Sequence, residues 1–192
     1  TSDFTIASDM TISGQGTIGS TSGSTTLINN GSIINDAGNM TITADSWTNN
    51  GVIRADGTTA ASLVLSEGAT GWSNSAAGTV PGFTVGTIIA ENGGTITIPN
   101  GADWNNAGDI LLNTGATLNA GGTFTLADAL SIVDQDNSAI YNLTSGSFDL
   151  AGGVFAPTAA VTGTGAINIA GITISNGTLA DPLLLGTTLT AN

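Results

Sequence analysis

Apolar and small polar residues alternate along this chain in short bursts. Phe4-Thr-Ile6, Met10-Thr-Ile-Ser13, Met40-Thr-Ile-Thr43, Thr95-Ile-Thr-Ile98 and Gly122-Thr-Phe-Thr-Leu126 all follow the pattern. A period of two turns every second side chain to one face, so each burst predicts a half-buried strand. Leu63-Val-Leu65, Phe83-Thr-Val85, Thr87-Ile-Ile89, Gly115-Ala-Thr-Leu118 and Leu130-Ser-Ile-Val133 read the same way. So do Phe148-Asp-Leu150, Val154-Phe155, Ala166–Ile169, Ile172–Ile174 and Thr178-Leu179 in the last third. Turn signals part them: a Ser/Thr/Gly loop over Ser20–Thr26, then Ala55-Asp-Gly57, Ser66-Glu-Gly68, Pro81-Gly82 and Pro99-Asn-Gly101. A helical turn is suggested only at Ala127–Leu130, with Asp128 as a candidate cap. Four residues are too few to hold a helix unaided.

One unit recurs above this alternation. Leu27-Ile-Asn-Asn-Gly-Ser-Ile33, Trp47-Thr-Asn-Asn-Gly-Val-Ile53 and Trp104-Asn-Asn-Ala-Gly-Asp-Ile110 share one template. It is a large apolar residue, any residue, Asn, Asn or Ala, Gly, any residue, Ile. Trp72 to Val80 fits with a two-residue insertion and Tyr141 to Phe148 with a one-residue insertion. The heads at 27, 47, 72, 104 and 141 lie 20, 25, 32 and 37 residues apart, which predicts inserted loops or a further coil within the longer gaps. A degenerate unit on this scale signals stacked repeats, none of which buries its apolar face alone. Strand spacing by itself also fits a sandwich or barrel. Repetition of the template favours an all-β parallel β-helix (β-solenoid) spanning residues 1–192 as one domain. Roughly 20 to 27 residues per coil gives about seven to nine coils. Stacked about 4.8 Å apart, they make a rod about 35 to 45 Å long.

Stacking sets equivalent residues of successive coils above one another. Ile42, Ile53, Leu65, Ile98, Ile110, Leu118 and Leu126 are expected in interior columns, each worth about 1.5–3 kcal/mol on burial. The template residues Leu27, Asn30, Gly31, Ile33, Trp47, Asn50, Gly51, Ile53, Trp72, Trp104, Asn106, Gly108, Ile110 and Tyr141 are the structural repeat positions. Asn at the corner hydrogen-bonds neighbouring backbone and can form amide ladders. Gly follows where a corner needs positive φ or a close approach of backbones. Trp47, Trp72 and Trp104 are read as packing residues; the competing reading is an exposed aromatic stripe for sugar rings.

Composition narrows function. Charged residues make up 8% of the chain, so Ser, Thr, Asn and Gly must form the surface. Fourteen acidic residues stand against one basic residue, Arg54, for a net charge of −13. Nucleic-acid binding needs several phosphate-neutralising Lys or Arg, so that class is excluded. Cys and His are both absent, which removes disulfides, thiolate metal sites and imidazole bases. No apolar run is long enough for a transmembrane helix. The first residues carry no signal-peptide pattern and no initiator Met, which suggests a mature or excised piece of a longer precursor.

The Trp/Leu-x-Asn-Asn-x-Gly/Gly-x-Ile units, with Gly115-Ala-Thr-Leu118 style segments between them, resemble filamentous-haemagglutinin-type adhesins and autotransporter passenger domains. The likeness covers most of residues 27–126. It implies a right-handed parallel β-helix exported to the cell surface or the medium by a diderm bacterium, used in attachment or as a stalk.

Other chemistry finds little footing. Lyases on β-helices use Arg or Lys, and only Arg54 is offered. A glycosidase needs paired carboxylates, for which Asp45 and Asp103 are candidates if adjacent coils bring them together. Acyl chemistry lacks its base. Asp134, Asp136 and Ser138 have the alternating oxygens of a calcium loop but lack its central Gly and downstream Glu, so calcium is a weak cofactor candidate. The Thr41/Thr43, Thr95/Thr97 and Thr123/Thr125 pairs suggest an ice-binding face, yet they lie 54 and 28 residues apart, too sparse for a pair on every coil. Asn30, Asn39, Asn142 and Asn176 head Asn-x-Ser/Thr sequons. The reading is therefore a non-catalytic module of a surface adhesin or extracellular filament. Its expected partners are copies stacked end to end, or more of the same chain, and host or matrix glycans. The alternatives are a carbohydrate-binding module and, behind it, a polysaccharide-degrading enzyme.

Overall fold

The structure, a computed structural model, describes residues 2–20, 25–66, 70–136, 138–144, 146–155, 166–169 and 172–179. Most of the expected loop at Ser20–Thr26 and of the turn at Ser66–Gly68, together with Asn137, lies outside the described residues. The first turn of the stack comprises β1 (Ser2–Ile6), β2 (Thr11–Ser13) and β3 (Gly16–Ile18). The second comprises β4 (Thr25–Asn29), β5 (Ser32–Asn35) and β6 (Asn39–Ile42), and the third β7 (Ser46–Asn49), β8 (Val52–Asp56) and β9 (Ser62–Leu65). The fourth holds β10 (Trp72–Asn74), β11 (Thr87–Glu91) and β12 (Thr95–Ile98), the fifth β13 (Trp104–Asn106), β14 (Asp109–Leu112) and β15 (Thr117–Ala120). The sixth runs through β16 (Thr123–Thr125), helix α1 (Leu126–Leu130), β17 (Ile132–Asp134) and β18 (Ile140–Leu143). Beyond it come β19 (Gly146–Asp149), β20 (Val154–Phe155), β21 (Ala166–Ile169), β22 (Ile172–Ser175) and β23 (Thr178–Leu179).

Each strand pairs with its counterpart one turn away, in parallel. Sheet A is β1-β4-β7-β10-β13, sheet B is β2-β5-β8-β11-β14-β17, and sheet C is β3-β6-β9-β12-β15-β18-β21. A fourth sheet, β16-β19-β22, continues sheet A through a single bridge between Asp103 and Thr123, and β20 pairs β23. The chain is therefore a parallel β-solenoid, and the uniformly parallel pairing rules out an antiparallel sandwich. About six turns are complete, against the expected seven to nine, and β19 to β23 carry the stack further.

The register turns the template into columns. Ile12, Ile33, Ile53, Ile88, Ile110 and Ile132 follow one another through sheet B. All but Ile12 are fully buried. A β-branched side chain has one preferred rotamer on a strand, so identical residues nest on one another turn after turn. Ile42, Leu65, Ile98 and Leu118 are buried as expected. Leu126 is an exception: it sits half-buried on α1.

Two template alignments need correction. In the fourth turn the Gly and Ile that complete the unit begun at Trp72 are Gly86 and Ile88, not Gly78 and Val80, since Thr87 pairs with Val52 and Ile88 with Ile53. Residues 76–85 are an insertion between Ser75 and Gly86, and Phe83–Val85 is not a strand. The insertion folds back along the corner, where the Thr79 amide donates to Asn50 O at 2.8 Å and its hydroxyl reaches Asn30 O at 2.7 Å. The Gly position is set by a close approach of backbones rather than by positive φ. A Cβ on Gly51 would meet Gly31 O at 2.0 Å, and one on Gly108 would meet Gly86 O at 2.1 Å. Tyr141, the other misaligned residue, does not head a template unit. It lies on β18 in sheet C, in register with Leu118, so the gap of 37 residues after Trp104 hides a whole coil.

Candidate functional site

The true successors of the tryptophans are Phe124 and Phe148. Leu27, Trp47, Trp72 and Trp104 are in register through sheet A, and Phe124 and Phe148 through its continuation. Successive ring centroids from Trp47 to Phe148 are 4.5, 5.6, 4.8 and 4.7 Å apart, with interplanar angles of 28° or less. Such pairs contribute about 0.5–1.5 kcal/mol each beyond their burial. Trp47 Nε1 donates to Ser66 O at 2.7 Å and Trp104 Nε1 to Gly121 O at 3.0 Å. The indoles point inward and are 2%, 3% and 5% exposed, so no aromatic stripe faces solvent at these positions. Their emission should therefore resist acrylamide, with a Stern–Volmer slope several-fold below that of the unfolded chain. A slope equal to the unfolded value would contradict the ladder.

Two residues after each ring runs a second internal column. Asn29 Nδ2 donates to Asn49 Oδ1 at 2.7 Å, Asn49 to Asn74 at 2.8 Å, and Asn74 to Asn106 at 2.8 Å. The same amides reach the carbonyls of Val52, Thr87 and Asp109. All four are buried. The anticipated amide ladder exists, but it runs through the first Asn of each pair. Asn30 and Asn50 make an outer bond to each other at 2.9 Å and are only half-buried.

The ladder ends at α1. Sheet A stops at β13, so the Asn106 amide lacks a strand partner below it and donates instead to Asp128 Oδ1 at 2.6 Å. Asp128 Oδ2 accepts from the Thr125 amide at 2.7 Å and the Thr125 hydroxyl at 2.6 Å, closing a capping box on the five-residue helix. Asn106 Nδ2 donates to Ser131 Oγ at 2.6 Å. Asp128 is thus a buried carboxylate held by hydrogen-bond donors, while Arg54 is engaged elsewhere with Glu91 at 3.0 Å.

Tyr141 is fully buried, and its hydroxyl has no hydrogen-bond partner among the described residues. Burial, then the nearby charge of Asp128, pushes its phenol far above the usual range. A raised folded value adds stability that is whole below the unfolded value of about 10 and is lost as pH rises beyond it. Tyr141 is the single tyrosine, so phenolate absorbance reports on it alone. No phenolate signal should appear near pH 10 in the folded protein; it should arise only with alkaline unfolding. A reversible titration near pH 10 with tryptophan emission unchanged would contradict this burial.

Of the remaining candidates, Asp136 and Asp45 accept hydrogen bonds from the preceding turn. Asp136 is fully exposed; it accepts from the Ser138 amide and hydroxyl and from the Thr114 amide, and Ser138 Oγ accepts from the Gly115 amide. The Ser138 hydroxyl, and after it the Thr114 amide, holds the Asp136 carboxyl below the usual carboxylate range. The Asp134 side chain is not among those described. Asp45 and Asp103 do not face each other from adjacent coils: they stand at the starts of the third and fifth turns, with β10 between. Asp45 accepts from the Thr25 amide at 3.0 Å. Asp103 lines an open groove of about 490 Å³ over the outer face of sheet A with Ser46, Thr48, Ser73, Asn105 and Thr125. No protein-family model, curated protein or solved structure matches the chain.

Proposed function

We propose that this chain is a non-catalytic structural module of a bacterial cell-surface adhesin or extracellular filament, acting in attachment or as a self-associating stalk. The observation that carries the reading is the internal ladder system. Buried asparagines, the Asp128 carboxylate and five stacked rings are all engaged in holding turn to turn. A stack built this way resists bending and shear, as a stalk must. The first turn adds support: Phe4 and Met10 are about half exposed at 51% and 49%, and among the described residues no strand pairs with the outer edges of β1, β2 and β3, which can take a further strand. Export to the surface of a diderm bacterium belongs to the same proposal and rests on the adhesin resemblance.

The groove over sheet A favours a second reading, a module that binds neutral glycans through hydroxyl and amide side chains. Negative-stain electron microscopy of the purified chain over a concentration series tests the first reading. Fibres of uniform width that lengthen with concentration support a self-associating stalk. Single short rods at every concentration, together with glycan binding lost in an Asn105→Ala variant, would replace it with the second.

A further inference from the structure

We propose that the outer face of sheet C is an ice-contact surface. Ice presents water oxygens in straight rows at a fixed repeat, so a protein face that adsorbs to it must carry side chains in straight rows as well. Those side chains should be small, with hydroxyl and methyl groups that hold water without reorienting it strongly. They should be uncharged, because an ion keeps a hydration shell the lattice cannot absorb. They should also be fixed beforehand, so that little entropy is lost on contact.

Sheet C meets these demands over its middle turns. Its seven strands pair in unbroken register. Thr41, Val64 and Thr97 stand in one outward rank, and Ser62, Thr95 and Thr117 in the next. Parallel-sheet geometry spaces the rows about 4.8 Å apart between turns and the ranks about 6.6 Å apart along a strand. No strand of sheet C carries a charged residue, although the chain has a net charge of −13. Sheet B carries Arg54, Asp56, Glu91, Asp109 and Asp134, and sheet A carries Asp3, with Asp103 at its groove. The first rank, which continues through Asn119 and Asn142, is also tied laterally: Asn142 Nδ2 donates to Asn119 Oδ1 at 2.7 Å, and Asn119 Nδ2 to Thr97 Oγ1 at 3.3 Å.

Sequence separation hid this array. Thr41 and Thr97 are two turns apart with Val64 between them, and Thr95 stacks on Ser62 and through it on Asn39, while Thr43 lies outside both ranks; the inserted loop of the fourth turn lengthens the sequence gap between them. Thr123 and Thr125 lie on β16, outside sheet C. Aromatic rings, which a crystalline polysaccharide would need for stacking, point inward from the described ladder, so the face suits a water lattice better than a sugar sheet.

Nanolitre osmometry with observation of crystal shape tests the assignment, using the wild-type chain, Thr97→Arg in the middle of the face and Ser13→Arg on the outer side of sheet B. The wild type and Ser13→Arg should open a gap between melting and freezing points and facet the crystals, and Thr97→Arg should lose both. Folding of each variant is checked by tryptophan emission, and size-exclusion chromatography gives the oligomeric state. No gap in the wild type would overturn the proposal, as would a gap unchanged in folded Thr97→Arg. A wild-type dimer that Thr97→Arg converts to monomer, with no freezing gap, would assign the face to a second copy instead.

Discussion

Asn74→Ala is expected to lower stability by about 3–5 kcal/mol, while Asn50→Ala, in the same kind of sequence, should change it by no more than about 0.5 kcal/mol. Asn74 stands in the middle of the inner ladder. Its carbonyl accepts from Asn49, and its amide donates to Asn106 and to Asp109 O. Truncation leaves Asn106 Oδ1 and the Asp109 carbonyl short of a donor inside the core, and each orphan costs about 1–3 kcal/mol. Asn50 bonds to Asn30 on the outside, where water replaces it. Urea unfolding followed by tryptophan emission measures both. Equal losses in the two variants would show that the ladder bonds give no more stability than surface contacts.

The second large effect is at Asp128. Asp128→Ala should cost about 3–5 kcal/mol, because each buried or part-buried donor left unsatisfied costs about 1–3 kcal/mol. Three donors lose their acceptor together: the Asn106 amide, the Thr125 amide and the Thr125 hydroxyl. Asp128→Asn should recover less than half of this loss, because its amide group turns a donor toward donors already in place. Asp9→Ala, on an exposed turn, is the control and should be near neutral. If Asp128→Asn were as stable as the wild type, the carboxylate would not be the cap that closes sheet A.

These two residues also show where sequence is readable and where it is not. The solenoid and the isoleucine column were legible, since each unit carries its Ile at a fixed offset from its Gly and that offset survives in three copies. The inner ladder was legible in kind but placed one residue late. Among the four heads Leu27, Trp47, Trp72 and Trp104, the residue two positions on is Asn every time, while the next varies as Asn, Asn, Ser and Ala. Position-by-position constancy marks the buried site, because a side chain bonded to copies of itself cannot change alone.

Phe124 and Phe148 were missed because α1 and the end of sheet A remove the Asn and Gly that follow a head. What remained was the Gly-Thr-Phe and Gly-Ser-Phe echo at 122–124 and 146–148. Asp128 could not be foreseen as an acceptor for Asn106: that contact exists only because a helix interrupts the sixth turn. The insertion after Ser75 was underestimated because Ala77-Gly-Thr-Val80 imitates the template locally. Only the pairing of Thr87 with Val52 selects Gly86.

The most direct test of the stacking is a register cross-link, clean here because the chain has no cysteine. Thr48 and Ser73 face outward from β7 and β10 as direct partners, their hydroxyls 3.3 Å apart. Neighbouring strands lie about 4.8 Å apart, within the Cα separation a disulfide accepts, whereas positions two turns apart lie about 10 Å from each other. A Thr48→Cys/Ser73→Cys chain should form an intramolecular disulfide on mild oxidation, and a Thr48→Cys/Asn105→Cys chain, spanning two turns, should stay reduced. Cross-linking of the second pair and not the first would mean that Trp72 does not stack on Trp47, and the columns described above would be wrong.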